Sequence, residues 1–260
     1  MSPKTLTALP VFNERHHLGE VLPKVIEQSE AVLVVDDGST DGTSEALARY
    51  DVRVIRHPKN RGYGAALRTA FQFAARRHFE TVITIDCDGQ HEPQRIPQFA
   101  AACRGVDVVS GSRYLTQFSG DSLPPPERQW INMRLTADLN RLLGLHLTDA
   151  FCGFKAYRVE SLKRLRLKED GYAQPLEFWA QAAVCGLRIV EHPVPLIYLE
   201  EKRSFGGSLD DAKTRLAHYY RVLRESLADV GVPSRIDAQG RPQVSVHFSE
   251  TDLFLKAEVV

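Results

Sequence analysis

No apolar run in this 260-residue chain approaches the roughly 18–20 residues that span a bilayer. The opening Met1-Ser2-Pro3-Lys4 runs straight into a strand pattern with no apolar leader, so no secretory signal is expected. Neither sign of charge is in excess. Lys plus Arg and Asp plus Glu number 33 each, which removes the basic field that nucleic acid would call for. Cysteine is scarce. Cys87, Cys103, Cys152 and Cys185 lack metal-type spacing such as C-x-x-C and read as small apolar filler in a reducing compartment. Internal repeats and low-complexity tracts are lacking too. The expectation is a cytoplasmic protein. Its hydrophobic content of 43% supports a full core, in one α/β domain or one domain with an appendage.

Strand and helix signals alternate from the start. Leu6–Pro10, Ala31–Asp36, Val52–His57, Thr81–Asp86 and Val106–Gly111 are short, near-continuous apolar runs. Between them lie helical stretches over Leu18–Gln28, from the cap residues Ser39, Thr40 and Asp41 to about Tyr50, and over Pro93–Cys103. After the turn Asn60–Gly64, the positions Leu67, Ala70, Phe71 and Ala74 repeat with helical spacing. Such alternation predicts a mostly parallel sheet covered on both faces, with ligands at the carboxyl ends of the strands. The second half differs. Phe118–Glu127 is a loop rich in Gly, Ser and Pro, and Ile131, Leu135, Leu139, Leu142 and Leu143 stripe a long helix. Pro175–Gly186 predicts a shorter helix, a strand follows from about Arg188, and Leu209–Asp229 is a long amphipathic helix. Residues 231–260 read as an appendage, in which Val244, Val246 and Phe248 alternate like a strand or hairpin.

Chemistry concentrates at Asp86-Cys87-Asp88-Gly89-Gln90-His91. In an extended chain residues i and i+2 point the same way, so two carboxylates aim at one point from a strand tip. Like charges there repel unless a cation lies between them. A hard divalent metal fills that role and can also hold a diphosphate. A second acidic pair, Asp36-Asp37, ends the strand Ala31–Asp36. Ser39 or Asp41 can cap the following helix, which leaves Asp37 free for a ligand. Asp36 is open to a structural reading.

Several segments together resemble glycosyltransferase family 2. Pro10-Val11-Phe12-Asn13-Glu14 is similar to its P-x-Y-N-E segment, and Val35-Asp36-Asp37-Gly38-Ser39-Thr40-Asp41-Gly42 to V-D-D-G-S-T-D-G. Asn60–Leu67 resembles its third, glycine-containing loop, and Asp86–Pro93 resembles D-A-D-G-Q-H-x-P. Gly111-Ser112-Arg113-Tyr114 and Asp149–Tyr157 look like later motifs of the polyprenol-phosphate (dolichol-phosphate) sugar synthase branch. The likeness covers roughly residues 5–225. It implies the GT-A-type fold, a nucleotide-binding α/β sandwich with a mostly parallel central sheet flanked by helices. One domain would then occupy 1–230, its nucleotide-sugar half about 1–115 and its acceptor-side half about 116–230.

The resemblance also implies roles. A nucleotide-sugar donor, with uridine or guanosine, is received by Pro10, Phe12, Glu14, Val35, Asp37, Asp86, Cys87, Asp88 and Arg113. Asp86, Asp88 and Gln90 form the environment of Mg²⁺ or Mn²⁺, Asp88 being the stronger ligand. Arg113 binds phosphate, where a planar guanidinium can make bidentate contacts. The catalytic set is Asp88, Arg113 and Asp149. Arg134 and Arg203 fall in regions where related synthases place cations for donor and lipid phosphates. The lysine often found after the serine equivalent to Ser208 is absent here, where Leu209 follows.

The reaction implied is inverting transfer of a sugar to a polyprenyl phosphate. The alternatives are a soluble enzyme acting on a hydroxyl of a glycan, protein or small molecule, and a non-catalytic nucleotide-sugar binder. A hydroxyl acceptor would need a base, for which Asp149 and Glu177 are the candidates. The helix Leu209–Asp229 carries an apolar stripe beside Lys213, Arg215, Arg221 and Arg224. It can lie on a membrane surface, pack on the domain or form a homodimer. Peripheral contact with the inner face of a membrane belongs to the first of these readings.

Overall fold

The computed structural model describes residues 4–199 and 207–232. Its strands are β1 (Thr5–Val11), β2 (Val32–Asp36), β3 (Arg53–Arg56), β4 (Thr81–Thr84), β5 (Val108–Ser112), β6 (Lys155–Arg158) and β7 (Ile189–Pro193). They form one sheet in the order β3-β2-β1-β4-β6-β5-β7. All neighbours run parallel except those of β6, which is antiparallel to both β4 and β5. The expected mostly parallel sheet is therefore present, with one reversed strand inside it.

Alternation of side chains divides the core in two. Leu33 and Val35 of β2 face one layer, Val32 and Val34 the other. The first layer holds α3 (Tyr63–Arg76), α5 (Pro126–Leu143), α7 (Gln174–Val184) and α8 (Ala212–Asp229). The second holds α1 (Arg15–Glu27), α2 (Thr43–Leu47) and α4 (Ile96–Ala102), and the single turn α6 (Val159–Leu162) follows β6. The apolar stripe of α8 is core. Tyr219, Tyr220, Val222, Leu223 and Leu227 are buried in the first layer.

Element boundaries depart from the sequence reading in ways that matter. The β4 ladder stops at Thr84, so Asp86–Asp88 lie on a bend beyond it rather than on extended strand. Helix α2 ends at Leu47, three residues before Tyr50. β6 has no counterpart among the expected strands. It is four residues long and begins with a lysine, so neither its length nor its pattern stands out. It comes from the second half of the chain yet separates β4 from β5, so the two halves share one sheet. The alternation at Val244, Val246 and Phe248 lies outside the described residues.

Candidate active site

The carboxyl ends of β1, β2, β4 and β5 open onto a cleft of about 770 Å³. Its far wall comes from α3, α5, α7 and the start of α8. Pro10, Phe12, Glu14, Asp37, Asp86, Cys87, Asp88, Gln90 and Arg113 all line it. Val35 does not. It is fully buried in β2, pairs with Pro10 in the ladder and contributes its side chain to the core.

The two loops after β1 and β2 are tied to each other. The Asn13 amide donates to Ser39 Oγ at 2.9 Å, and the Thr40 amide donates to Asn13 Oδ1 at 2.8 Å. Asn13 sits at φ 57°, a left-handed conformation that Asn tolerates better than most residues. Asp41 accepts from the Thr43 amide and hydroxyl at the start of α2, whose cap position is Gly42. Asp37 is nevertheless not free. It accepts from the amides of Arg61 (3.0 Å) and Gly62 (2.7 Å) and contacts His57 Nδ1 at 2.5 Å. Its carboxylate pins the 60–62 loop against the cleft and so shapes that edge. Asp36 is fully buried and accepts from the Ser39 amide and Ser44 hydroxyl, so it is structural.

The acidic bend behaves differently at its two ends. Asp86 accepts from the Tyr63 hydroxyl at 3.1 Å and lies 3.5 Å from His91 Nε2. Burial alone would raise its pKa. The His91 contact, the Tyr63 bond and the charge of Lys155 outweigh that and hold it below the usual carboxylate range. Gly153 packs so closely that a Cβ there would overlap the Asp86 carboxylate. Asp88 accepts from the Gln90 amide at 3.0 Å, which folds the bend back on itself. Three oxygen-bearing side chains, Asp86, Asp88 and Gln90, thus share one wall. A hard cation that takes one or two carboxylates and otherwise phosphate oxygens or water suits that donor set.

Arg113 and Asp149 form a bidentate pair, Nε to Oδ2 at 2.6 Å and Nη2 to Oδ1 at 3.0 Å. Asn132 Nδ2 and the Phe151 amide also donate to Asp149. Burial opposes ionisation of Asp149, but the charge and hydrogen bonds of Arg113, then Asn132, keep it well below the ordinary range. Arg113 is correspondingly held ionised. Asp149 is fully buried behind the arginine and does not line the cleft. Its candidacy as a base is thereby corrected: it is an anchor for Arg113. Glu177 is buried in the first turn of α7 and accepts from the amides of Lys168 and Glu169, so it too is structural.

Arg134 also moves out of the site. It donates to Asp138 at 3.1 Å and to the Tyr220 hydroxyl at 3.2 Å, joining α5 to α8 away from the cleft. Arg203 lies outside the described residues. Sequence reasoning missed two buried cations at the cleft. Lys155 on β6 donates to the Cys152 carbonyl, and its amine sits 5.7 Å from the Trp179 ring centroid. Burial pushes its pKa down against the pull of Cys152, Asp149 and Asp86. Arg215 on α8 donates to the carbonyls of Leu209 (2.8 Å) and Asp210 (3.2 Å). Its Nη2 lies 3.5 Å from Glu127 on α5. In the sequence Arg215 stood with the charges beside the stripe of α8, and Lys155 opened a strand without apolar contrast.

The comparisons agree with this architecture. The glycosyl transferase family 2 model matches residues 7–166. The undecaprenyl-phosphate mannosyltransferase of Micrococcus luteus is 30% identical, over 85% of this chain and 96% of its own. The polyprenol monophosphomannose synthase of Mycolicibacterium smegmatis is 30% identical, over 83% and 86%. Among solved structures, glucosyl-3-phosphoglycerate synthase from Mycobacterium tuberculosis, in complex with Mn²⁺, UDP and glucosyl-3-phosphoglycerate, superposes with a TM-score of 0.66. It shares 19% identity over 90% of this chain and 82% of that one, a likeness of fold. The cleft at the strand ends and the matched motifs that line it converge with these likenesses: the chain belongs to glycosyl transferase family 2 and is a glycosyltransferase.

Proposed function

We propose that the chain transfers a sugar from a nucleoside diphosphate to the phosphate of a polyprenyl lipid, inverting the anomeric centre. The observation that carries the acceptor is the fate of the two candidate bases. Asp149 is buried behind Arg113, Glu177 is buried under the 168–169 backbone, and neither lines the cleft. A hydroxyl acceptor needs a base within reach. A phosphate monoester, with its second pKa at about 6, arrives ionised and needs none. The names of the two full-length relatives support the same choice.

In this reading a lipid phosphate oxygen bonds to the anomeric carbon. The bond from that carbon to the diphosphate breaks, and its electron pair leaves with the diphosphate. Glu14 and the loop that Asp37 anchors receive the nucleoside. Asp88, with Asp86 and Gln90, would hold Mg²⁺ or Mn²⁺, which when bound offsets charge on the diphosphate. Arg113 is fixed and kept ionised by Asp149, so it meets developing negative charge without reorganising. Lys155 brings a buried amine to the same cleft. A lipid acceptor places the enzyme at a membrane surface, and we assign it peripherally to the inner face. No described helix is long and apolar enough to cross a membrane.

The test is nucleotide release from a panel of UDP- and GDP-sugars with Mn²⁺, with and without a polyprenyl phosphate. Release stimulated by the lipid is expected. Release that responds only to a hydroxyl acceptor would overturn the proposal.

A further inference from the structure

Helix α5 is apolar on two faces. Ile131, Leu135 and Leu139 enter the core, as an amphipathic helix requires. The opposite face should be polar, yet it carries Trp130, Met133 and Ala137, at the i, i+3, i+7 spacing of one helical stripe. Trp130 is 55% and Met133 59% exposed, and Leu123, just before the helix, is 92% exposed. Large apolar side chains exposed along one helix stripe mark a contact with something apolar.

Two further observations say what. Helix α5 carries three arginines, Arg128, Arg134 and Arg141, and two acids, Glu127 and Asp138, and both Arg134 and Arg141 pair with Asp138. Tyr220 ties Arg134 to α8, where Arg224 is exposed one turn further on. An apolar stripe headed by a tryptophan, on a helix whose arginines outnumber its acids by one, fits the boundary between headgroups and acyl chains of an anionic bilayer. The same end of α5 forms part of the cleft: Pro124, Arg128, Gln129, Ile131 and Asn132 line it.

We infer that Leu123, Trp130 and Met133 form the face by which the enzyme docks on an anionic lipid surface, with the cleft mouth turned to the headgroups. The inference rests on the lipid-acceptor reading above. It also replaces α8, whose apolar stripe is buried, as the membrane-facing helix.

The experiment separates the two ideas. The chain is mixed with phosphatidylcholine vesicles, with or without phosphatidylglycerol and without any acceptor, and bound protein is measured by sedimentation. Binding to the anionic vesicles is expected. Brominated lipid should quench Trp130, because the only other tryptophan, Trp179, is fully buried. Trp130→Ala with Met133→Ser should weaken binding by about tenfold or more. The same variant should keep its thermal transition and its turnover of a water-soluble, short-chain prenyl phosphate. Absence of wild-type vesicle binding overturns the docking face. So does equal binding by the variant, or a change from dimer to monomer in the variant with vesicle binding unchanged. Failure of the acceptor reading shows separately, as no turnover of either prenyl phosphate.

Discussion

The carboxylate of Asp149 accepts from two nitrogens of Arg113, from Asn132 and from the Phe151 amide. Those bonds make it a poor proton acceptor and a strong anchor. Its folded pKa lies below its unfolded value, so it stabilises the fold above the unfolded carboxylate pKa of about 4. That stability is lost as pH falls from there toward the folded value. Acid unfolding followed by circular dichroism should therefore show a slope below about pH 4. Asp149→Asn should flatten it and cost about 3–5 kcal/mol at neutral pH, because Arg113 then lacks its counter-charge. Asp88 poses the opposite case, a carboxylate at the cleft with a chemical assignment. Asp88→Asn should lower kcat by about 10²–10³ with an unchanged unfolding midpoint, read by nucleotide release and urea titration. What sequence could show at this scale was residue type and place in a motif. It marked Glu14, Asp86, Asp88 and Arg113, all of which reach the cleft. It could not show that Asp37 and Asp149 would each be surrounded by donors, since apart from the Phe151 amide those donors come from 20 or more residues away or from α5.

Among elements, legibility followed hydrophobic contrast. β1, β2, β4 and β5 are apolar runs buried on both faces, and periodicity located them within a few residues. β6 begins with Lys155 and ends with Arg158, so it offered no such contrast and passed unrecognised. Its identity depends on partners, β4 and β5, that are distant in the chain. For α8 the pattern was plain but its destination was not, because an amphipathic stripe fits a core and a bilayer alike. Burial of Leu223 answers the question. Leu223→Ala should destabilise the fold by about 2–5 kcal/mol, measured as a lower urea midpoint. A loss of vesicle binding without a shift in that midpoint would contradict the core assignment.

For the molecule as a whole, the cleft draws on both halves of the chain. Loops after β1, β2 and β4 meet residues of α5, β6, α7 and α8. A ligand that bridges them should stabilise the whole fold in one cooperative step. With nucleoside diphosphate and Mn²⁺ at about a hundred times the dissociation constant, unfolding free energy should rise by about 2.7 kcal/mol. Differential scanning calorimetry checks this, and a chelator should remove most of the gain. The reversed strand has a consequence for synthesis. When residues 1–150 have left the ribosome, β4 and β5 exist but the strand that joins them does not. Each then presents a bare edge of unpaired amides and carbonyls, a template for pairing with another nascent chain. Emergence of β6 closes that gap. A chain truncated before Lys155 should accordingly collect in the insoluble fraction, however complete its nucleotide-facing loops.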